Sequence, residues 1–351
     1  VGRNFDFYVG DDFARNKLVS FYQPSDGYRF ASVGWAGMTG VLSGMNETGL
    51  TVTINAAKST MPVSAAMPIS LLAREILQYA STIEEAYAIA QKHKTFVAES
   101  LLIGSAKDGK AAIIEKSTDK IALFYSGTNR IICTNHYQSD TFKEDARNKE
   151  NIATSDSPYR LARLDELLSD NLPVDPSKAA SILRNRFGEE GKEIGLTNEK
   201  AINQFIAHHS VIFEPAKRLM WVSTAPWQLG EYVAYDLNKI FAHPTDTGEL
   251  RIDSLSLPAD TLLDSPVYQQ LLTYKNLAKD IRHSIGSHTP LDEALLDEFI
   301  ASNPEFYYSW QLVGDYYQAF GAEDRAILSW KTALTKEIPK EGERTALQEK
   351  I

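Results

Sequence analysis

Strand-like and helix-like patterns follow one another in blocks along this chain, and the order of the blocks restricts its fold more than any single motif. Residues 1 to about 57 read as strands and turns. Ala31-Ser32-Val33-Gly34-Trp35 is one apolar run, and Asn46 to Gly49 forms a turn before the next. Leu50-Thr51-Val52-Thr53-Ile54-Asn55 then alternates apolar and polar residues with period two, as a half-buried antiparallel strand does. Apolar spacing turns helical over residues 70–77, and Ser81-Thr82-Ile83-Glu84 is expected to be a capping box opening a second helix toward His93. Strands resume at 101–104, 111–115 and 121–124, and residues 130–134 add one more short apolar run. Residues 138–156 are polar and are expected to form a surface loop. Helices are expected at 159–169 and 176–187, and strands at 209–213, 219–223 and 232–236. This succession predicts an α+β fold of two antiparallel sheets with helices on their outer faces.

From about residue 251 the pattern is helical only, which divides the chain into residues 1–250 and a helical segment, 251–351. Within that segment Trp310, Gly314, Tyr317, Ala326, Trp330 and Ala333 follow the spacing of one tetratricopeptide repeat, over about 305–337. Val313 stands where leucine is usual, and Trp330 where phenylalanine is usual. One repeat cannot bury its own apolar face, so the segment is expected to pack on the rest of the chain or on a partner.

The formal charge of −10 argues against a general nucleic-acid or anionic-membrane binder. A single cysteine, Cys133, excludes an internal disulfide and any multi-cysteine zinc site. The longest apolar runs are far too short to span a bilayer. No residue pattern calls for a cofactor. The chain opens at Val1 without an initiator methionine, so it is expected to be processed or trimmed.

Amide-cleaving sites need a nucleophile, a base, donors for the oxyanion and a group that holds the nucleophile in register. Asparagine amides donate hydrogen bonds without adding charge, and here Asn55 and Asn135 each follow an apolar run. Arg3 and Asp6 lie at the chain start, and Arg160 follows Ser157-Pro158-Tyr159. Period two would put Arg3 and Asp6 on opposite faces of a strand, so they converge only if that strand breaks near Asn4 or Phe5. His208 and His209 point to opposite faces for the same reason. His209 is expected near the site floor and His208 in solvent, with no metal between them. Phe7, Tyr8, Tyr28, Phe30, Trp35 and Met38 are expected in the core; any that line a cleft suit an apolar acyl group.

In this order the motifs resemble the cysteine N-terminal nucleophile hydrolases of the choloylglycine hydrolase and penicillin V acylase type. The resemblance is greatest to the acyl-CoA:6-aminopenicillanic acid acyltransferase branch. The matching residues are Gly2-Arg3-Asn4-Phe5-Asp6-Phe7 and Gly44-Met45-Asn46-Glu47-Thr48-Gly49-Leu50 running into Asn55. Thr134-Asn135-His136, Ser157-Pro158-Tyr159-Arg160 and His209-Ser210-Val211-Ile212-Phe213 complete the set, over roughly residues 1–240. The resemblance implies a four-layer αββα sandwich and an autocatalytically exposed N-terminal cysteine whose α-amino group accepts the proton. It implies that Arg3 steadies the thiolate and Asp6 orients the amine. Asn55 and Asn135 would be the oxyanion-side and substrate-side amides, and Arg160 would support the nucleophile from behind.

The resemblance places the nucleophile before Gly-Arg-Asn, upstream of Val1, and Val1 has no nucleophilic side chain. Cys133 is a poor replacement, lying in an apolar run without a free α-amine. The expected activity is hydrolysis of a linear amide C–N bond, or acyl transfer, on a small-molecule amide with an apolar acyl group. Homo-oligomerisation is compatible with it, and the resemblance implies a periplasmic or secreted protein. The competing expectation is a catalytically inactive relative that binds partners through its helical segment.

Overall fold

The computed structural model describes residues 1–7, 9–58, 66–170, 172–243 and 248–351, without the side chain of Asp11; Tyr8 lies outside them. The first strand is β1 (Gly2–Phe5), followed by β2 (Lys17–Tyr22), β3 (Phe30–Trp35), β4 (Ser43–Asn46) and β5 (Leu50–Ala56). The β4–β5 turn is built by Asn46, whose Oδ1 accepts from the Thr48 and Leu50 amides while Gly49 supplies a φ of 81°. Helices α1 (Ile69–Tyr79) and α2 (Ile83–Lys92) come next, then β6 (Glu99–Ser105), β7 (Lys110–Lys116) and β8 (Ile121–Phe124). The cap of α2 lies one residue later than its sequence suggests. Thr82 accepts from the Glu85 amide, and the Glu85 carboxylate reaches back to the amide and hydroxyl of Ser81.

Residues 138–156 are not a loop throughout, because they contain helix α3 (Ala146–Thr154). Asp145 caps it, and its inward residues are Asn148 and Asn151 rather than apolar side chains, so no hydrophobic stripe announces it. Helix α4 spans Ser157–Asp170 and α5 spans Pro176–Leu183. The latter stops short of residue 187 because Asn203 captures the backbone there, its side chain donating to Arg184 O and its amide to Asn185 O. Strands β9 (His209–Glu214), β10 (Leu219–Ser223) and β11 (Tyr232–Asp236) follow, then α6 (Leu237–Ala242). The apolar run at 130–134 forms no strand. Side chains, not a neighbouring strand, satisfy its carbonyls, with Gln138 Nε2 on Ile132 O and Asn55 Nδ2 on Cys133 O.

Among the described residues, β2 to β8 form one antiparallel meander in sequence order, and the second sheet has the order β1-β9-β10-β11. β1 therefore pairs with a strand some two hundred residues away, with Arg3 opposite Val211 and Phe5 opposite His209. The sheets face each other through Ala31, Val33 and Met45 on one side and Val211, Phe213, Met220 and Val222 on the other. Leu72, Ile76, Ile83 and Ile89 of α1 and α2 cover the far side of the larger sheet, against Val52, Ile54, Leu101 and Ile103. Ala180 and Leu183 of α5 cover the smaller one. The layers thus run helix, sheet, sheet, helix.

The stretch after residue 250 does not turn helical at once. Arg251 and Leu257 bridge to Tyr235 and Tyr232, lengthening the edge of the smaller sheet. Helices α7 (Pro266–Ser287), α8 (Glu293–Ser302), α9 (Tyr307–Ala319), α10 (Glu323–Leu334) and α11 (Glu341–Gln348) then share a core around Phe299, Tyr316 and Trp330. Gly314 lets α9 approach the indole of Trp330, since a Cβ there would lie 2.4 Å from its Nε1. The helices are fastened to the preceding residues by a reciprocal pair, Leu196 N to Asn303 Oδ1 and Asn303 Nδ2 to Leu196 O. Glu337 adds ion pairs with Lys192 and Lys200.

Gly195 lies in this seam at a φ of 84°, where a Cβ would meet the Phe306 backbone at 2.5 Å. Gly321 has a similar φ of 77° but nothing near its missing Cβ. Gly321→Ala is expected to lower stability by about 1 kcal/mol from backbone strain alone. Gly195→Ala is expected to lower it by about 3 kcal/mol or more, because the seam must also open. Chemical denaturation of both variants checks the order.

Candidate active site

The site begins with alternation along β1. Arg3 and Phe5 share the face turned toward the larger sheet, and the guanidinium carbon stands 4.5 Å from the Phe5 ring centroid. Arg3 is buried, and its NH1 donates to Ser43 Oγ at 2.6 Å and its NH2 to Ile54 O at 2.6 Å. Ser43 Oγ lies 2.9 Å from His209 Nε2, so the hydroxyl that accepts from Arg3 can donate a hydrogen bond to the neutral imidazole. Burial lowers the Arg3 pKa to about 10, while Asp6, Glu99 and Cys133 oppose the shift; the group stays cationic at neutral pH. The same burial, with Arg3 beside it, holds His209 well below its ordinary value, so the ring is neutral.

β1 ends at Phe5, so Asp6 escapes the alternation and lines the same cleft as Arg3. His208 is not solvated. It is buried, with Nε2 against Phe7 O and its ring packed on Phe5, Phe13 and Trp35, because residues after β1 fold back over it. Of the early aromatics, Phe30 is fully buried, whereas Phe7 is 63% exposed and lines the cleft.

The end of β5 gathers the remaining candidates. Ile54 O takes Arg3. Asn55 Nδ2 donates to Cys133 O at 3.3 Å, and Ala56 O accepts from Asn135 Nδ2 at 2.9 Å. Each asparagine thus spends one N–H on the protein and keeps a second. Asn135 Oδ1 accepts from Arg160 NH2 at 2.8 Å, and Arg160 is in turn paired with Asp156 at 2.8 Å. The backbone of Asn135 is pinned by Ser157 Oγ, 2.7 Å from its amide, and by Asn151 Nδ2, 2.6 Å from its carbonyl. All five residues expected from the sequence therefore border one cleft of about 1500 Å³. Leu164, Leu168, Leu172, Val174 and Ile202 supply apolar wall.

Cys133 also lines the cleft, but burial and the Glu115 charge push its thiol up to about 12. It is held as a neutral thiol, the unreactive form. Sequence reasoning missed Glu99. Burial pushes its carboxyl up to about 7 against the opposing field of Arg3, and its Oε2 is buried without a hydrogen-bond partner. A carboxylate at the mouth of the apolar run 101–103 was the available signal. Ser157, also missed as a contributor, is fully buried between Asn135, Thr134 and His136. Among the described residues, no three His, Cys, Asp or Glu side chains converge to hold a metal, and no helix is long and apolar enough to cross a membrane.

Two facing antiparallel sheets enclose the buried arginine of the first strand, and the amides of Asn55 and Asn135 meet at the end of β5. The profile of the family described as acyl-coenzyme A:6-aminopenicillanic acid acyl-transferase matches residues 1–226, and the chain belongs to that family. An uncharacterized protein of Archaeoglobus fulgidus is 30% identical over 129 residues, 36% of this chain; the chain spans only 21% of that relative's length. Among solved structures, penicillin V acylase from Agrobacterium tumefaciens matches with a TM-score of 0.46 and 17% identity, over 68% of this chain and 82% of its own. The Caenorhabditis elegans ortholog of N-acylethanolamine-hydrolyzing acid amidase matches at 0.43 and 15% identity, over 61% and 87%.

Two stability effects follow. Arg3→Met is expected to destabilise by about 3 kcal/mol or more, because Ser43 and Ile54 O lose their shared donor inside the core. Glu99 has a folded-state pKa above its unfolded value, so its contribution is full below about pH 4.5 and is lost as pH rises through about 7. Glu99→Gln is therefore expected to raise the Tm at about pH 8 by more than at about pH 5. Thermal melts at the two pH values read the difference.

Proposed function

We propose that residues 1–250 carry an acyl-transfer site that breaks a linear amide C–N bond, or forms one from an acyl donor. The observation that carries this reading is the unbroken run of contacts from Arg3 through the end of β5 to Asn135 and Arg160, along one wall of a large, largely apolar cleft. The nucleophile in this reading is an N-terminal cysteine that none of these 351 residues supplies. Its thiol would attack the carbonyl while its α-amine, of ordinary pKa about 7.7–8.0, takes the proton. Arg3 supplies fixed positive charge for the thiolate, and Asp6 a carboxylate for the amine. The spare N–H of Asn55 faces developing negative charge on the carbonyl oxygen, a role in which preorganised donors outperform water. Asn135 holds the substrate side, and Arg160 with Asp156 holds Asn135.

Whether water or an amine resolves the thioester decides between hydrolase and acyltransferase. Leucines and valines on the cleft wall favour an apolar acyl group. Residues 251–351 act in this proposal as a packed helical segment, with α9 and α10 as a TPR-like hairpin.

The test is the protein expressed from its full gene. Its mature N-terminus is expected to be cysteine, and a panel of N-acyl amines is expected to turn over. In that protein Asn55→Ala is expected to lower kcat by about a hundredfold, or about 3 kcal/mol, with little change in KM. A mature, inert protein without an N-terminal cysteine, serine or threonine would instead support a binding module.

A further inference from the structure

Four buried polar atoms on residues lining the cleft have no hydrogen-bond partner among the described residues: Arg3 Nε, Thr53 Oγ1, Asn55 Oδ1 and Glu99 Oε2. The Asn55 amide cannot be reversed to cure this, since its oxygen would then face Cys133 O, 3.3 Å from the present nitrogen. Two of the four orphans, Asn55 Oδ1 and Glu99 Oε2, are acceptors, Arg3 Nε is a donor, and the Thr53 hydroxyl can serve as either. Buried polar groups are normally paired, so unpaired ones converging on a cleft call for a ligand bearing N–H donors.

Charge points the same way. Arg3 feels two carboxylates, Asp6 and Glu99, so one negative charge is left over when both are ionised. Among the described residues Glu99 forms no ion pair, so that charge is available. Other titratable groups around Glu99 do not neutralise it. Cys133 and Tyr137 are held as neutral acids by burial, and both Glu115 oxygens are taken by the amides of Gln138 and Ser139. Lys116 stands opposite Glu99 on the ladder without forming an ion pair with it, and the field of Arg3 opposes the upward shift of the Glu99 carboxyl.

We propose that Glu99 is a specificity-determining residue that selects substrates carrying a cationic amino group on the part of the amide lodged beside Arg3 and Asn55. This rests on the amide-site reading above and narrows its substrate class to amino-bearing acyl amides. An ammonium there gives Glu99 Oε2 a donor, leaves an N–H for Asn55 Oδ1 and balances the excess carboxylate. Glu99 titrates near pH 7, so the preference is strongest when its carboxyl is ionised and fades on acidification.

The experiment is calorimetric titration of the 351-residue chain with octanamide and with amino-octanamides carrying the amine at successive positions. Apolar content is held constant while the cation is walked along the chain. At about pH 8 one positional isomer is expected to bind about tenfold tighter than octanamide. That ratio is expected to fall below about threefold at about pH 5.5, and likewise in Glu99→Gln at about pH 8. Binding of octanamide with no isomer preferred overturns the Glu99 assignment and leaves the amide site standing. So does a preference that survives both acid and the substitution. Binding of an amino isomer with no binding of octanamide supports Glu99 and counts against the apolar amide site. No binding by any compound overturns both. The wild-type comparison decides the matter even if the variant fails to fold.

Discussion

The site is organised around one cation enclosed between two sheets. Removing a guanidinium from water costs several kcal/mol, and that cost is offset only when good hydrogen bonds replace the lost solvent. Arg3 obtains two short ones, from Ser43 on β4 and Ile54 on β5, and rests on the Phe5 ring. Each partner belongs to a different strand, so the arginine fixes the offset between β1 and the larger sheet. His209 completes the enclosure through Ser43 and stays neutral, because a second cation there would be repelled.

From that point the geometry spreads along β5. Three successive residues, Ile54, Asn55 and Ala56, contact Arg3, Cys133 and Asn135 respectively. An irregular segment can be placed this firmly only if side chains satisfy its carbonyls. The inward asparagines of α3 do so, with Asn148 binding both backbone groups of Tyr137 and Asn151 binding the Asn135 carbonyl. A polar helix thus serves as scaffold for the cleft wall, and Arg160 of α4 closes the chain of contacts.

Much of this was legible in the sequence where a period was clean. The alternation in residues 50–55, the apolar stripes of α1 and the turn at Asn46 to Gly49 announced their elements. Yet β5 is buried on both faces rather than one, Thr51 and Thr53 included, because it lies between the facing sheet and the helices. The five candidates picked out by the ordered motifs all line one cleft. What escaped was written in polar contacts. Residues 130–134 have strand composition but side-chain partners, and α3 has helix geometry but no apolar face. His208 looked solvated because alternation speaks only of a strand's two faces and not of what later covers them.

The sequence by itself determined the two-sheet layering and the helices on their outer faces, and it singled out Arg3, Asp6, Asn55, Asn135 and Arg160 as candidates, since periodicity and residue chemistry are local properties. Tertiary structure alone decided that β1 pairs with β9, that Asp6 turns into the cleft where β1 ends, and that Glu99 lies there unpartnered. Those facts depend on contacts across up to two hundred residues and on burial. A carboxylate's neighbours and solvent access set its pKa, and no local pattern records either.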